Sequence, residues 1–79
     1  MKTDNDKIDK AVLALLHLTS FKEDEAVRAW KGHDWDALDR LHEKGLISDP
    51  KNKNKSVYLS DEGVKLSESF FRELFESKE

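Results

Sequence analysis

The chain has 79 residues and a net charge of −3, with 39% charged and 37% apolar side chains. That length holds one domain, 1–79, around a small core, and the lack of cysteine excludes disulfides, thiolate metal sites and thiol nucleophiles. No apolar run approaches the ~20 residues that cross a bilayer, and the acidic start Met1-Lys2-Thr3-Asp4-Asn5-Asp6 does not read as a signal peptide, so a cytoplasmic protein is expected, frayed at 1–5 and 78–79.

The first helix is expected over 6–20, with Asp6 as N-cap. At 100° per residue Ile8, Ala11, Val12, Leu15, Leu16, Leu18 and Thr19 share one side. Leu13 and Ala14 fall on the opposite side, beside Lys10 and His17. A second, shorter helix is expected over 22–31. Ser20 and Glu23 have capping-box spacing, acids crowd its first turn, and Gly32 is a natural stop.

The third helix is expected over 34–45, capped by Asp34 and stopped by Gly45. Trp35, Leu38, Leu41 and His42 face inward in this reading, leaving Asp36, Asp39, Arg40, Glu43 and Lys44 outside. A β-hairpin follows across 46–60. Asp49-Pro50 opens its turn, Lys51 to Lys55 forms a polar tip, and Val57 and Leu59 point inward while Tyr58 points out. Ser60 caps the last helix, expected over 61–77. Its apolar residues Val64, Leu66, Phe70, Phe71, Leu74 and Phe75 span about half the circumference, more than the ~100° that a one-sided helix needs.

Helix, short helix, helix, hairpin, helix is the order of a winged helix-turn-helix. The run "LHEKGLISDP…SVYLSDEG" resembles the junction of recognition helix, wing and final helix in MarR- and PadR-type regulators. Leu41, Gly45, Leu46 and Ile47 match the step into the wing. Tyr58, Ser60 and Gly63 match the step out of it, with Ser for Thr. This resemblance covers 34–75. A second one, over nearly the whole chain, is to a group of small bacterial proteins sharing a core like "AWKGHDWDALDRLHEKGLISDPKNKNKSVYLSDEG". It implies a stand-alone bacterial protein and brings no activity with it. The fold class expected is therefore mainly α with a small β-hairpin, in the order α-α-α-β-β-α.

In a winged helix the third helix enters the major groove. Here its outward side chains are three acids against two bases, which opposes docking on a phosphate-lined duplex. Residues 44–59 hold four Lys and one Asp, net +3, while the stretches on either side are each net −3. Two function classes follow. The preferred one is a non-enzymatic interaction module. The wide arc of the last helix and the outward Leu13 suggest a surplus apolar surface of Leu13, Val64, Phe71 and Phe75. The winged-helix resemblance implies dimerisation through terminal helices, so a homodimer or a protein partner is expected there. The alternative is a small DNA-binding regulator, with Lys51, Lys53 and Lys55 on the backbone and Arg40 and Lys44 near the groove.

The remaining candidates favour structural roles. His17, His33 and His42 lack paired-ligand spacing, although Asp34 and Asp36 lie close to His33. Trp30 and Trp35 read as packing anchors between the second and third helices, in preference to an aromatic lip for a ligand. Three glycines make no phosphate loop, and no serine has a nucleophile context. No enzyme activity, metal, cofactor, small-molecule ligand or membrane contact is expected.

Overall fold

Local capping chemistry sets the helix starts. The computed structural model describes residues 4–30, 32–51 and 55–76. Helix α1 runs Asn5–Leu18, and its cap is Asp4, whose carboxylate accepts from the Asp6 and Lys7 amides at 3.0 and 3.2 Å. The cap expected at Asp6 thus lies two residues earlier, and the fraying expected at 1–5 does not reach Asp4 and Asn5. Fraying at 1–3 and 78–79 lies outside the described residues.

After α1 the chain turns into a β-hairpin, β1 (Ser20–Glu23) and β2 (Ala26–Trp30), where a helix was expected over 22–31. Ser20 pairs with Ala29 and Glu23 with Ala26, so Asp24-Glu25 is a two-residue loop. Asp24 carries the positive φ, +56°, that such tight loops demand. Ser20 is no N-cap. Its hydroxyl donates to the His17 carbonyl at 2.7 Å and closes the end of α1.

Helix α2 (Trp35–Glu43) follows, with the Asp34 carboxylate accepting from the Ala37 amide. Strand β3 (Ser56–Leu59) then pairs antiparallel with β2, Val27 opposite Leu59 and Trp30 opposite Ser56. Helix α3 spans Asp61–Phe75. The result is three helices and a three-stranded antiparallel sheet, β1-β2-β3. The element order is α-β-β-α-β-α, not α-α-α-β-β-α. The hairpin expected across 46–60 survives as a short return arm. Ile47 bridges Leu59, the Ser48 amide donates to the Tyr58 carbonyl at 2.8 Å, and the Ser60 amide donates to the Leu46 carbonyl at 3.0 Å. The longer partner of β3 is β2.

The core gathers Leu13, Leu16, Ala29, Leu38, Leu41, Leu46, Ile47 and Val57. Helix α1 packs chiefly on α3 and also touches α2 and β2, so it is covered on more than one side. That is why Leu13 and Ala14 are fully buried although they fall opposite the expected face, and why Leu18 is left exposed. Helix α2 buries Ala37, Leu38 and Leu41. At 100° per residue the centre of that stripe lies roughly 65° from the expected one. Trp35 and His42 consequently stand outside. Trp30 and Trp35 are 53% and 55% exposed, so neither is buried as an anchor where the second and third helices were expected to meet.

Ser60 caps α3 as expected. Its Oγ accepts from the Gly63 amide at 3.0 Å and donates to the Leu46 carbonyl at 3.3 Å. Ser60→Ala removes both bonds, and a loss of about 1–2 kcal/mol is expected in urea unfolding.

Candidate functional site

Of the five basic residues expected to meet DNA, two are tied to a buried carboxylate. Asp9 on α1 is only 2% exposed. Arg40 from α2 grips its carboxylate, with Nε 2.9 Å from both oxygens and Nη2 2.8 Å from Oδ1. Lys44 adds its ammonium at 3.3 Å and lies 3.7 Å from Asp6. Burial by itself would raise the Asp9 pKa. The hydrogen bonds and charges of Arg40 and Lys44 outweigh it and hold the carboxyl below its ordinary range. Asp9 in turn stabilises the charge on Arg40. The cluster ties α2 to α1.

Lys51 and Lys55 are exposed on the loop before β3, and Lys53 lies outside the described residues. The outward surface of α2 keeps Asp36 and Glu43 exposed. A pocket of about 330 Å3 opens beside the Asp9 cluster, floored by Leu13, Leu41, Leu66 and Phe70. Its rim cations are paired, Lys44 with Asp9 and Lys10 with Glu73.

The four residues expected at a partner surface separate. Leu13 is fully buried inside the chain and plays no part in an outer surface. Val64 is partly buried against the core. Phe71 is half-buried, with its ring 5.2 Å from His17 and 5.5 Å from Phe75. Phe75 is 50% exposed, and Leu74 beside it 44%. The surplus surface is thus the C-terminal end of α3.

The histidines are dispersed. His17 packs on Phe71, the Nδ1 of His42 lies 3.1 Å from the Ile47 carbonyl oxygen, and burial lowers the pKa of His33. Among the described residues no three His, Asp or Glu side chains converge as metal ligands, and no helix is long and apolar enough to cross a membrane.

The chain matches the domain of unknown function DUF6429 over residues 4–77, a span that takes in every element from α1 to α3. It belongs to the DUF6429 family. It is similar to "Uncharacterized protein y4hR" of Sinorhizobium fredii (strain NBRC 101917 / NGR234), 60% identical over 75 residues, covering 95% of this chain and 97% of that protein. No solved structure matches. The expectation of a small bacterial family therefore holds.

One surface of this DUF6429 fold escaped the sequence reading. Phe21, Arg28, Trp30, Ser56 and Tyr58 share the outer side of the sheet. Tyr58 was placed outward correctly. Arg28 and Trp30 were hidden once 22–31 was read as a helix, because a helical period sets residues two apart on nearly opposite sides of the axis, whereas a strand aligns them on one side.

Proposed function

We propose that the protein is a non-enzymatic interaction module that pairs with a second copy of itself through the C-terminal end of α3. The observation that carries this reading is the apolar group of exposed Leu74 and Phe75 with the half-buried Phe71 beside them. Residues three and four apart on a helix are surface neighbours, so these side chains form one patch. A twofold pairing buries that patch against its own copy, doubling the apolar area removed from water. Arg72 on the same turn is held by Glu68 at 2.9 Å and lies 3.8 Å from Glu76, which places charge at the rim and leaves the patch centre apolar.

Duplex-DNA binding through α2 draws less support. Arg40 and Lys44 are engaged with Asp9, and Asp36 and Glu43 remain exposed beside them. A like-signed helix surface repels the groove it would enter.

Sedimentation or light scattering at tens of micromolar tests self-association. The expected mass is twice the 9.2 kDa of the chain. Phe75→Glu is expected to return the monomer with little change in thermal stability, since Phe75 is half exposed. A native protein that stays monomeric throughout that range overturns the reading.

A further inference from the structure

The outer side of the sheet is built differently from an ordinary solvated one. Side chains alternate along a strand, so Ala29 and Val57 point to the core while Phe21, Arg28, Trp30, Ser56 and Tyr58 point away from it. On a one-sided antiparallel sheet that outer surface is normally polar. Here Trp30 is 53% exposed and Tyr58 42%.

Each of these rings is supported by a neighbour. Phe21 on β1 lies against Trp30, with ring centroids 5.4 Å apart. The Arg28 guanidinium sits 4.4 Å from the Tyr58 ring centroid. Arg28 is itself fixed, its Nε donating to Ser56 Oγ at 2.8 Å and its Nη1 to Tyr58 Oη at 3.1 Å, with Glu23 3.7 Å away. The two exposed rings are therefore positioned before any ligand arrives, which lowers the ordering cost of binding. Trp30 lies opposite Ser56 and Tyr58 opposite Arg28. The rings are thus diagonal neighbours on adjacent strands, with backbones about 7–8 Å apart.

Charge is polarised between the two ends of the sheet. Glu23, Asp24 and Glu25 occupy the β1–β2 turn at one end. At the other end Trp30 lies across from Ser56, which directly follows Lys55, and Lys51 belongs to the same loop. Both lysines are exposed.

We propose that this surface binds single-stranded nucleic acid, with unpaired bases stacked on Trp30 and Tyr58 and the backbone phosphates held by Lys51 and Lys55. Every base has a π-face, so aromatic platforms accept single strands without strict sequence preference. Aromatic side chains on a sheet receive successive unstacked bases. A duplex keeps its base faces inside the stack and offers this platform only phosphates. The basic loop at the tryptophan end selects a polyanion over a neutral or cationic chain. The site uses neither α2 nor the end of α3, so it is independent of the self-association proposed above.

The test uses the full chain and a labelled oligothymidine of ~12 nucleotides, within the ~4–16 that small single-strand modules cover. Low-salt anisotropy and quenching of tryptophan emission are followed together. The expected result is saturable micromolar binding with quenching. Trp30→Leu, which keeps an apolar partner for Phe21, weakens it about tenfold. The pair Lys51→Gln and Lys55→Gln flattens the salt dependence by about 0.7 per lysine on a log–log plot. Lys65→Gln, on the exposed side of α3, removes one positive charge elsewhere and leaves affinity unchanged. Circular dichroism confirms that each variant is folded. The proposal is overturned by no saturable binding, by Trp30→Leu binding as tightly as the native chain, by Lys65→Gln doing as much harm as the loop pair, or by tighter binding of the matching duplex. A proline-rich peptide that quenches Trp30 where the oligonucleotide does not also overturns it.

Discussion

Replacing Gly63 by alanine is expected to cost about 3 kcal/mol or more, a large share of the stability of a small domain that lies near the low end of ~5–15 kcal/mol. Inside a helix this change ordinarily stabilises by up to ~1 kcal/mol. Gly63 is the exception because it is buried in the first turn of α3 with the Leu46 backbone against it. A Cβ there would collide with the Leu46 carbonyl oxygen, and would stand only 3.0 Å from the carbonyl carbon and 3.3 Å from Ser60 Oγ. The Leu46 carbonyl has no room to retreat. It accepts from the Ser60 amide at 3.0 Å and from the Ser60 hydroxyl at 3.3 Å, and the Leu46 amide is tied to the Leu41 carbonyl at 3.1 Å. Leu46 and Ile47 are themselves core residues. The methyl group therefore separates α3 from the end of α2 rather than displacing a side chain. Gly45→Ala is the internal comparison. Open space surrounds Gly45, but its φ is +75°, so only the left-handed penalty of about 1–2 kcal/mol is expected. Urea midpoints measure both. A Gly63→Ala protein as stable as the native one would mean that α3 is not seated on Leu46 in this way.

The same contact explains why the second half of the chain was legible. Gly45 at positive φ, the apolar pair Leu46-Ile47, the alternation of Val57, Tyr58 and Leu59, the Ser60 cap and Gly63 are local signals, and each has one stereochemical use. Their spacing gave the helix stop, the strand and the last helix in the correct order. The first half lacked such punctuation. In the run Ser20 to Gly32, the Ser20–Glu23 spacing and the acids that follow fit a helix start. The hairpin that actually forms carries no Asn-Gly or Asp-Gly, the usual mark of a two-residue loop. Asp24 adopts the positive φ instead. An apolar pair such as Val27 and Trp30 in a short run does not separate helix from strand. What decides is tertiary: β3, some thirty residues later, supplies the hydrogen-bonding partner that makes β2 a central strand.

For the candidate surfaces the limit is also one of distance along the chain. Phe71 and Phe75 were visible as a surface pair because helical period alone puts them together; Leu74, in the same apolar arc, was left out of that surface although it is 44% exposed. Leu13 was misplaced because a second layer of packing on α1 cannot be read from the phase of α1 itself. Arg40 and Lys44 looked free for DNA because their neighbours on α2 were the only acids within sequence reach. Their partner Asp9 lies 31 and 35 residues away.

That pairing leads to the second large effect. Asp9→Asn is expected to destabilise the fold by about 3 kcal/mol, the lower end for breaking a buried ion pair, because Arg40 keeps some contact with water. The amide nitrogen of asparagine would face the Arg40 and Lys44 cations, and one guanidinium hydrogen bond would lose its acceptor. Replacing both members, as Asp9→Leu with Arg40→Leu, is expected to restore most of the loss, since well-packed apolar pairs often match a buried ion pair. The pH dependence gives an independent check. The Asp9 carboxyl is held below its ordinary 3.8 in the folded chain, so protonation is disfavoured by folding. The stabilisation is fully present at neutral pH, begins to fall as pH drops through about 4, and is gone below the folded-state value. Urea-derived stabilities of the native and Asp9→Asn proteins should therefore differ by a constant amount above pH ~5 and converge in acid. A gap that stays the same down to the acid limit would show that the Asn variant fails through packing and not through the lost charge pair.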